Sequence, residues 1–157
     1  MKISGIIYYL KILVIWRRNK LRTYSKLKAN FEAEKYLYTD VDKCSIATFV
    51  TVRIINCNLD IERGRYSKLP VERRICRLCS SEVEDEFHFI MHCPKLSAYR
   101  GDLFESLSLV IPSFPDMSEI EKYILSSNDL DICKICIFGV KKMYDLNQTL
   151  KQSPNLG

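Results

Sequence analysis

Three cysteines and a histidine fall within eighteen residues, in the order Cys76-x2-Cys79-x8-His88-x4-Cys93. Three thiols and an imidazole are soft or borderline donors. As a closed tetrahedral set they leave no position for water, which describes a structural zinc site rather than a catalytic one. A Cys-x-x-Cys turn can aim two sulfurs at one ion. Pro94 directly after Cys93 disfavours helix at Cys93 and helps turn the chain back toward the metal. Three thiolates and Zn²⁺ sum to −1, so the neighbouring Arg73, Arg74 and Arg77 are expected to offset that charge. The reading is one structural Zn²⁺ on Cys76, Cys79, His88 and Cys93.

Other donors compete with this set. His92 lies one helical turn after His88, but it adjoins Cys93, and consecutive residues seldom both aim at one metal; His88 is preferred. Cys133-Lys134-Ile135-Cys136 repeats the Cys-x-x-Cys spacing inside an apolar helical run, where reduced cysteine behaves as a small hydrophobe, so it reads as core. The pair Asp40 and Asp42 faintly suggests the aspartates of a polymerase palm, yet two carboxylates between helices read better as a solvated turn or helix cap. There is no Gly-rich phosphate loop, nucleophile elbow or spare histidine for a triad, so no enzyme activity and no small-molecule substrate are expected.

The elements that must position these residues follow from pattern. A helix is expected from Leu21, where Leu21, Tyr24, Leu27 and Phe31 recur every three to four residues. Cys44 to Ile55 is ambiguous: Thr48 to Val52 is a β-branched run, while Ile46, Val50 and Ile54 would line one helical face. Asn56 to Arg74 contains Gly64 and Pro70 and reads as extended or turn-rich. Glu82 to His92 reads as a short helix carrying His88 toward the cysteine turn. Leu96, Tyr99, Leu103 and Leu107 mark another helix, ended by Pro112 and Pro115. Ser118 with Glu121 matches a capping box. The last helix should carry Cys133, Cys136, Ile137, Val140 and Tyr144 on one face. The expected fold class is mainly α, a small helical domain with a zinc-stapled extended or loop segment in its middle. The zinc-binding domain spans 21–150, with its motif at 73–95, and 151–157 form a disordered tail.

Residues 1–20 contain an apolar stretch, Ile3 to Trp16, interrupted by Lys11. Fourteen residues fall short of the ~20 that cross a bilayer, and Trp-Arg-Arg after them is unlike a signal-peptidase site. A buried helix, or a stretch outside the domain proper, is expected there, with an interfacial anchor the lesser alternative. Seven cysteines, an odd number, do not outline a secreted disulfide framework. An intracellular protein, nuclear or cytoplasmic, is the expectation, with membrane association disfavoured. Charge is asymmetric: residues 1–80 hold 17 Lys or Arg against 7 Asp or Glu, whereas 81–157 hold 7 against 12. A basic half joined to an acidic half is a cue for a nucleic-acid partner.

Leu59 to Tyr66, Glu72-Arg-Arg-Ile-Cys-Arg-Leu-Cys79, Glu84-x-Glu-x-His88 and Cys93-Pro94 together resemble a known family. They are similar to the zinc-binding region that follows the polymerase in reverse transcriptases of non-LTR retrotransposons, and to stand-alone open reading frames derived from it. The resemblance extends from about Leu21 to Asn147. It implies the same four ligands, a zinc finger of CCHC type, and tips Cys44 to Ile55 toward helix. The chain contains no fingers, palm or endonuclease region, so polymerase activity does not carry over. The implied function is nucleic-acid binding, to RNA or DNA, through Arg63, Arg65, Lys68, Arg73, Arg74 and Arg77, with Tyr66 as a stacking platform. The alternative is a structural or protein-interaction module with a protein partner. In that case the arginines pair with Glu82, Glu84, Asp85 and Glu86, and zinc only stabilises the fold.

Overall fold

The computed structural model describes residues 34–54, 57–124 and 129–153. The apolar N-terminal stretch and the helix expected from Leu21 lie outside the described residues. Those described form a small, mainly α-helical domain: α1 (Lys43–Arg53), α2 (Asp60–Tyr66), α3 (Ser97–Val110), α4 (Glu119–Ile124) and α5 (Leu130–Gln152), joined by short 3₁₀ and π turns.

The longest helix, α5, organises the core. Asp129 caps its N-terminus, accepting from the backbone N–H groups of Asp131 and Ile132 at 2.8 and 3.1 Å. Cys133, Ile137, Val140, Met143 and Asn147 are buried at spacings of three or four, a single stripe along the helix. That stripe packs against α1 and α3. The approach to α3 is close at Gly139, where a Cβ would stand 2.5 Å from Leu103 Cδ1. The helix runs on through Lys151 and Gln152, so Lys151, assigned to a disordered tail by the sequence reading, belongs to the domain.

The ambiguous segment is α1. Asp42 caps it by accepting from Ser45 N–H at 2.9 Å, and Asp40 pairs with Lys134 at 2.7 Å, so both aspartates serve the fold. Thr48 and Thr51 donate to the carbonyls of Cys44 and Ala47 one turn back, which accommodates the β-branched run within a helix. The buried face differs from the expected one: Ser45, Phe49, Val52 and Arg53 are buried, while Ile46 and Val50 are only partly covered. Phe49 meets Tyr36 edge-on, and the Arg53 guanidinium lies over both rings.

The helix α2 corrects the expectation of an extended segment. Asp60 and Glu62 in its first turn and Arg63 and Arg65 in its last suit the helix dipole. Gly64 does not break it. A Cβ at Gly64 would lie 2.4 Å from Cγ of Arg74, so the glycine is a passage for the Arg74 side chain. Arg74 thereby reaches the carbonyls of Ile61 at 2.9 Å and of Leu69 at 2.8 Å.

Toward the other end of the domain, Leu103 and Leu107 of α3 are buried, whereas Tyr99 is largely exposed. The proline-rich break after α3 buries Phe114 against Phe104. The capping box forms at α4, with Glu121 accepting from Ser118 N–H at 2.8 Å.

Candidate metal centre

Two backbone devices hold the first cysteine pair. Ile75 and Val83 make an isolated antiparallel bridge, and flanking bonds run from Cys76 N to Glu82 O (2.8 Å) and from Glu84 N to Arg74 O (3.0 Å). Between them the chain turns at Cys76–Ser80, closed by Ser80 N–H donating to the Cys76 carbonyl at 2.8 Å. Ser80 sits at φ 56°, in the left-handed region where a glycine would be unstrained. The turn carries both sulfurs inward.

The second pair comes from a π turn, His88–His92. Helix begins at Glu86 rather than Glu82, because residues 82–84 are engaged in the hairpin. Asp85 accepts from His88 N–H at 2.8 Å and starts the turn. Cys93 N–H donates to the His88 carbonyl at 2.8 Å, an i→i−5 bond. In an α-helix a residue five positions on points well around the cylinder; the wider π turn brings Cys93 back over His88. Arg100 then secures the Cys93 carbonyl at 3.1 Å.

The donor atoms of Cys76, Cys79, His88 and Cys93 all lie within 4.8 Å of one another. A tetrahedron of ~2.3 Å metal–sulfur bonds has edges of about 3.8 Å, so these four close on one ion with a contraction of at most about 1 Å. His88 Nε2 is already 3.3 Å from Cys79 Sγ. Its other nitrogen, Nδ1, meets Glu82 Oε2 at 3.1 Å. A carboxylate on Nδ1 fixes the ring and leaves Nε2 as the ligand, the usual outer support of a metal-bound histidine. Cys76, Cys93 and His88 are buried and Cys79 is partly exposed. Among the described residues no other group of three or more such side chains converges in this way.

A hydrogen bond with Cys93, together with burial, pushes the Cys76 thiol up to about 12. The same contact holds Cys93 below the ordinary thiol range. Burial opposes charge on His88, but hydrogen bonds to Cys76 and Glu82 outweigh it and raise the imidazole to about 9. Three crowded thiols cannot all ionise without a compensating charge; a bound divalent cation supplies it and releases protons as it binds.

His92 is not in the cluster. Its side chain is 36% exposed, its Nε2 lies 3.2 Å from Glu119, and its Nδ1 lies 3.5 Å from Glu82 Oε2, the oxygen that also meets His88. His88→Ala is therefore expected to cost most of the metal affinity, while His92→Ala leaves metal content at one ion per chain and removes only the contacts of that ring with Glu119, Glu82 and Phe87. Metal analysis of the two purified variants checks this, and equal losses would contradict the assignment. Cys133 and Cys136 belong to the core around α5, and burial pushes Cys136 up to about 12.

A buried polar cluster behind Cys76 was not anticipated from the sequence. Glu84 Oε1 lies 3.8 Å from Cys76 Sγ and accepts from Asn147 at 2.9 Å; Glu84 Oε2 accepts from Asp60 N–H and from Lys151 Nζ. Lys151 also reaches Asp60, 3.5 Å away, and Arg77 closes the group on Asp60 Oδ1 at 3.0 Å. Burial raises the Glu84 carboxyl above its ordinary value. Of the three arginines expected to offset the charge of the cluster, Arg77 is paired with Asp60 and Arg74 with backbone carbonyls, while Arg100 bonds a ligand residue directly, at the Cys93 carbonyl. One sequence signal existed: Asn147 and Lys151 prolong the buried stripe of α5 as polar residues.

The predicted nucleic-acid residues divide into two groups. Arg74 and Arg77 are bound into the fold, by the carbonyls of Ile61 and Leu69 and by Asp60. Arg65 pairs with the buried Glu62 at 2.9 Å and lies over the Tyr66 ring, 4.7 Å from its centroid. Arg63, Lys68 and Arg73 are exposed. Of the four acidic residues expected to neutralise them, Glu82 meets His88, Glu84 meets Lys151 and Asp85 meets the His88 backbone, while Glu86 is buried. No helix among the described residues is long and apolar enough to cross a membrane. No family model, curated protein or solved structure matches the chain.

Proposed function

We propose that the domain is a zinc-binding nucleic-acid-binding module, derived from the zinc region of a retrotransposon reverse transcriptase without its polymerase core, and without catalytic activity of its own. The observation that carries the reading is the exposed basic group Arg63, Lys68 and Arg73 close in sequence to the exposed Tyr66, on the segment that leads into the Cys/His cluster, where Glu82 and Glu84 are engaged elsewhere and Glu72 is an exposed carboxylate. Zinc is the metal that three thiolates and one imidazole suit best, since these borderline-soft donors in a closed tetrahedron select it over hard cations. Its role is structural: it joins the hairpin to the π turn and so fixes the surface that α2 presents.

Phosphate contacts release counterions, so affinity should fall steeply with salt. Replacing Arg63 and Arg73 together with alanine is expected to weaken RNA and DNA of every sequence about equally and to lower the salt slope by roughly 1–2. Arg74→Ala should instead reduce stability, because its bonds lie within the fold. Titrations at several salt concentrations test the reading. Undetectable binding at low salt with zinc present would replace it with a structural or protein-interaction module, a reading favoured by the internal engagement of Arg74 and Arg77.

A further inference from the structure

Within the nucleic-acid reading, on which this rests, we infer that the end of α2 is a seat for a single strand: one base stacks at Tyr66 while Arg63, Lys68 and Arg73 hold the adjoining phosphates. Tyr66 is 69% exposed, unusual for a ring at the end of a helix packed into a core. It is also held in place. The buried carboxylate of Glu62 accepts from Nε and from an Nη of Arg65, each at 2.9 Å, and the fixed guanidinium backs the ring. A ring braced by a cation and presented to solvent is a stacking surface that loses little freedom when a base arrives.

The helix end supplies a second, independent observation. Leu69 N–H donates to the Gly64 carbonyl at 2.8 Å and Lys68 N–H to the Arg65 carbonyl at 3.2 Å, the paired bonds of a Schellman ending. The residue at the left-handed position of that motif is normally glycine, yet here it is Lys68, at φ 55°. Lys68 takes this position in place of a glycine, which sets its ammonium at the helix end, close to Tyr66 in sequence. Lys68 follows Tyr66 by two residues, Arg63 precedes it by one helical turn, and Arg73 comes from the 3₁₀ turn Val71–Arg73 that packs on α2.

The chemistry selects a single strand over a duplex. A base within a duplex has both faces covered by its neighbours, so a protruding ring can stack only by opening the helix. The seven-residue α2 is buried along Asp60, Ile61, Glu62 and Gly64, which leaves no long face to lie in a major groove. Bases in a single strand offer their faces freely, and stacking on them tolerates any sequence.

The test uses the full zinc-loaded chain and short labelled single strands of DNA and RNA, each beside its duplex, followed by fluorescence anisotropy. The single strands should bind more tightly than the duplexes. Tyr66→Ala should weaken single-strand binding by about 5–150-fold and Tyr66→Phe should restore it, as stacking requires. Lys68→Gly should melt a few degrees higher than the parent yet bind every probe several-fold more weakly, which separates binding from folding. Equal or tighter duplex binding, or an unchanged affinity in Tyr66→Ala, would overturn the single-strand seat while leaving nucleic-acid binding standing. Failure of every probe to bind would remove both.

Discussion

Cys76→Ser is expected to abolish metal binding and to unfold at least residues 73–95, because the metal and the fold stand or fall together here. The hairpin at Ile75 and Val83 is a single bridge, and the π turn is five residues long. Neither is stable in isolation. What joins them is a set of four donors that, without a cation, crowd three thiols and an imidazole into one buried volume. Structural zinc contributes about 10–16 kcal/mol of apparent binding free energy in small peptides at neutral pH, against a total stability of about 5–15 kcal/mol for an ordinary domain. Loss of the ion therefore exceeds what the remaining core can absorb locally. Chelation should have the same effect and should be reversed by added Zn²⁺. Metal content should be one ion per chain in the parent and in Cys136→Ser, and none in Cys76→Ser. Circular dichroism with metal analysis reads all of these, and zinc loss in Cys136→Ser would overturn the ligand set.

The Cys/His cluster is legible because spacing constrains it locally: two cysteines in one turn, and a histidine and a cysteine five residues apart. Helix α5 was legible because its stripe from Cys133 to Val140 repeats every three to four residues. Local pattern is silent where the deciding contact is distant. Gly64 reads as a breaker until the side chain of Arg74, ten residues on, is seen lying across it. The face of α1 was misjudged because Arg53, a charged residue, is among those buried, stacked over Tyr36 and Phe49. The π turn has no compositional signature, and its closing bond from Cys93 N–H to the His88 carbonyl sets the two residues side by side. The arginines divide by partners that periodicity cannot reveal. Arg77 stays exposed yet pairs with Asp60, seventeen residues away, and Arg63 and Arg73 lie at the surface.

Lys151→Met is expected to destabilise the domain by about 3–5 kcal/mol, the cost of removing one partner from a buried ion pair. The Lys151 side chain is 3% exposed, and its ammonium lies between two buried carboxylates, Glu84 and Asp60. Without it, both must remain charged in a poorly solvated site, or take up protons. Arg77 can still serve Asp60, but among the described residues no other side-chain cation bonds to Glu84. The effect should extend to the metal. Glu84 stands 3.8 Å from Cys76 Sγ, so an uncompensated carboxylate would face a thiolate across a low-dielectric gap and disfavour the ionised ligand. Glu84→Gln removes that carboxylate and keeps one oxygen, able to accept from Asn147 or from Asp60 N–H but not both; because Lys151 keeps Asp60 as its counterion, it should still cost less than Lys151→Met. Combining the two should recover part of the stability lost in Lys151→Met, because the double variant no longer buries the Glu84 charge. Denaturant unfolding of the zinc-loaded proteins, with zinc affinity by chelator competition, measures both effects. Strictly additive losses in the double variant would show that Lys151 does not act through Glu84. A Lys151→Met protein of parental stability would mean that the end of α5 contributes nothing to the metal-binding half of the domain.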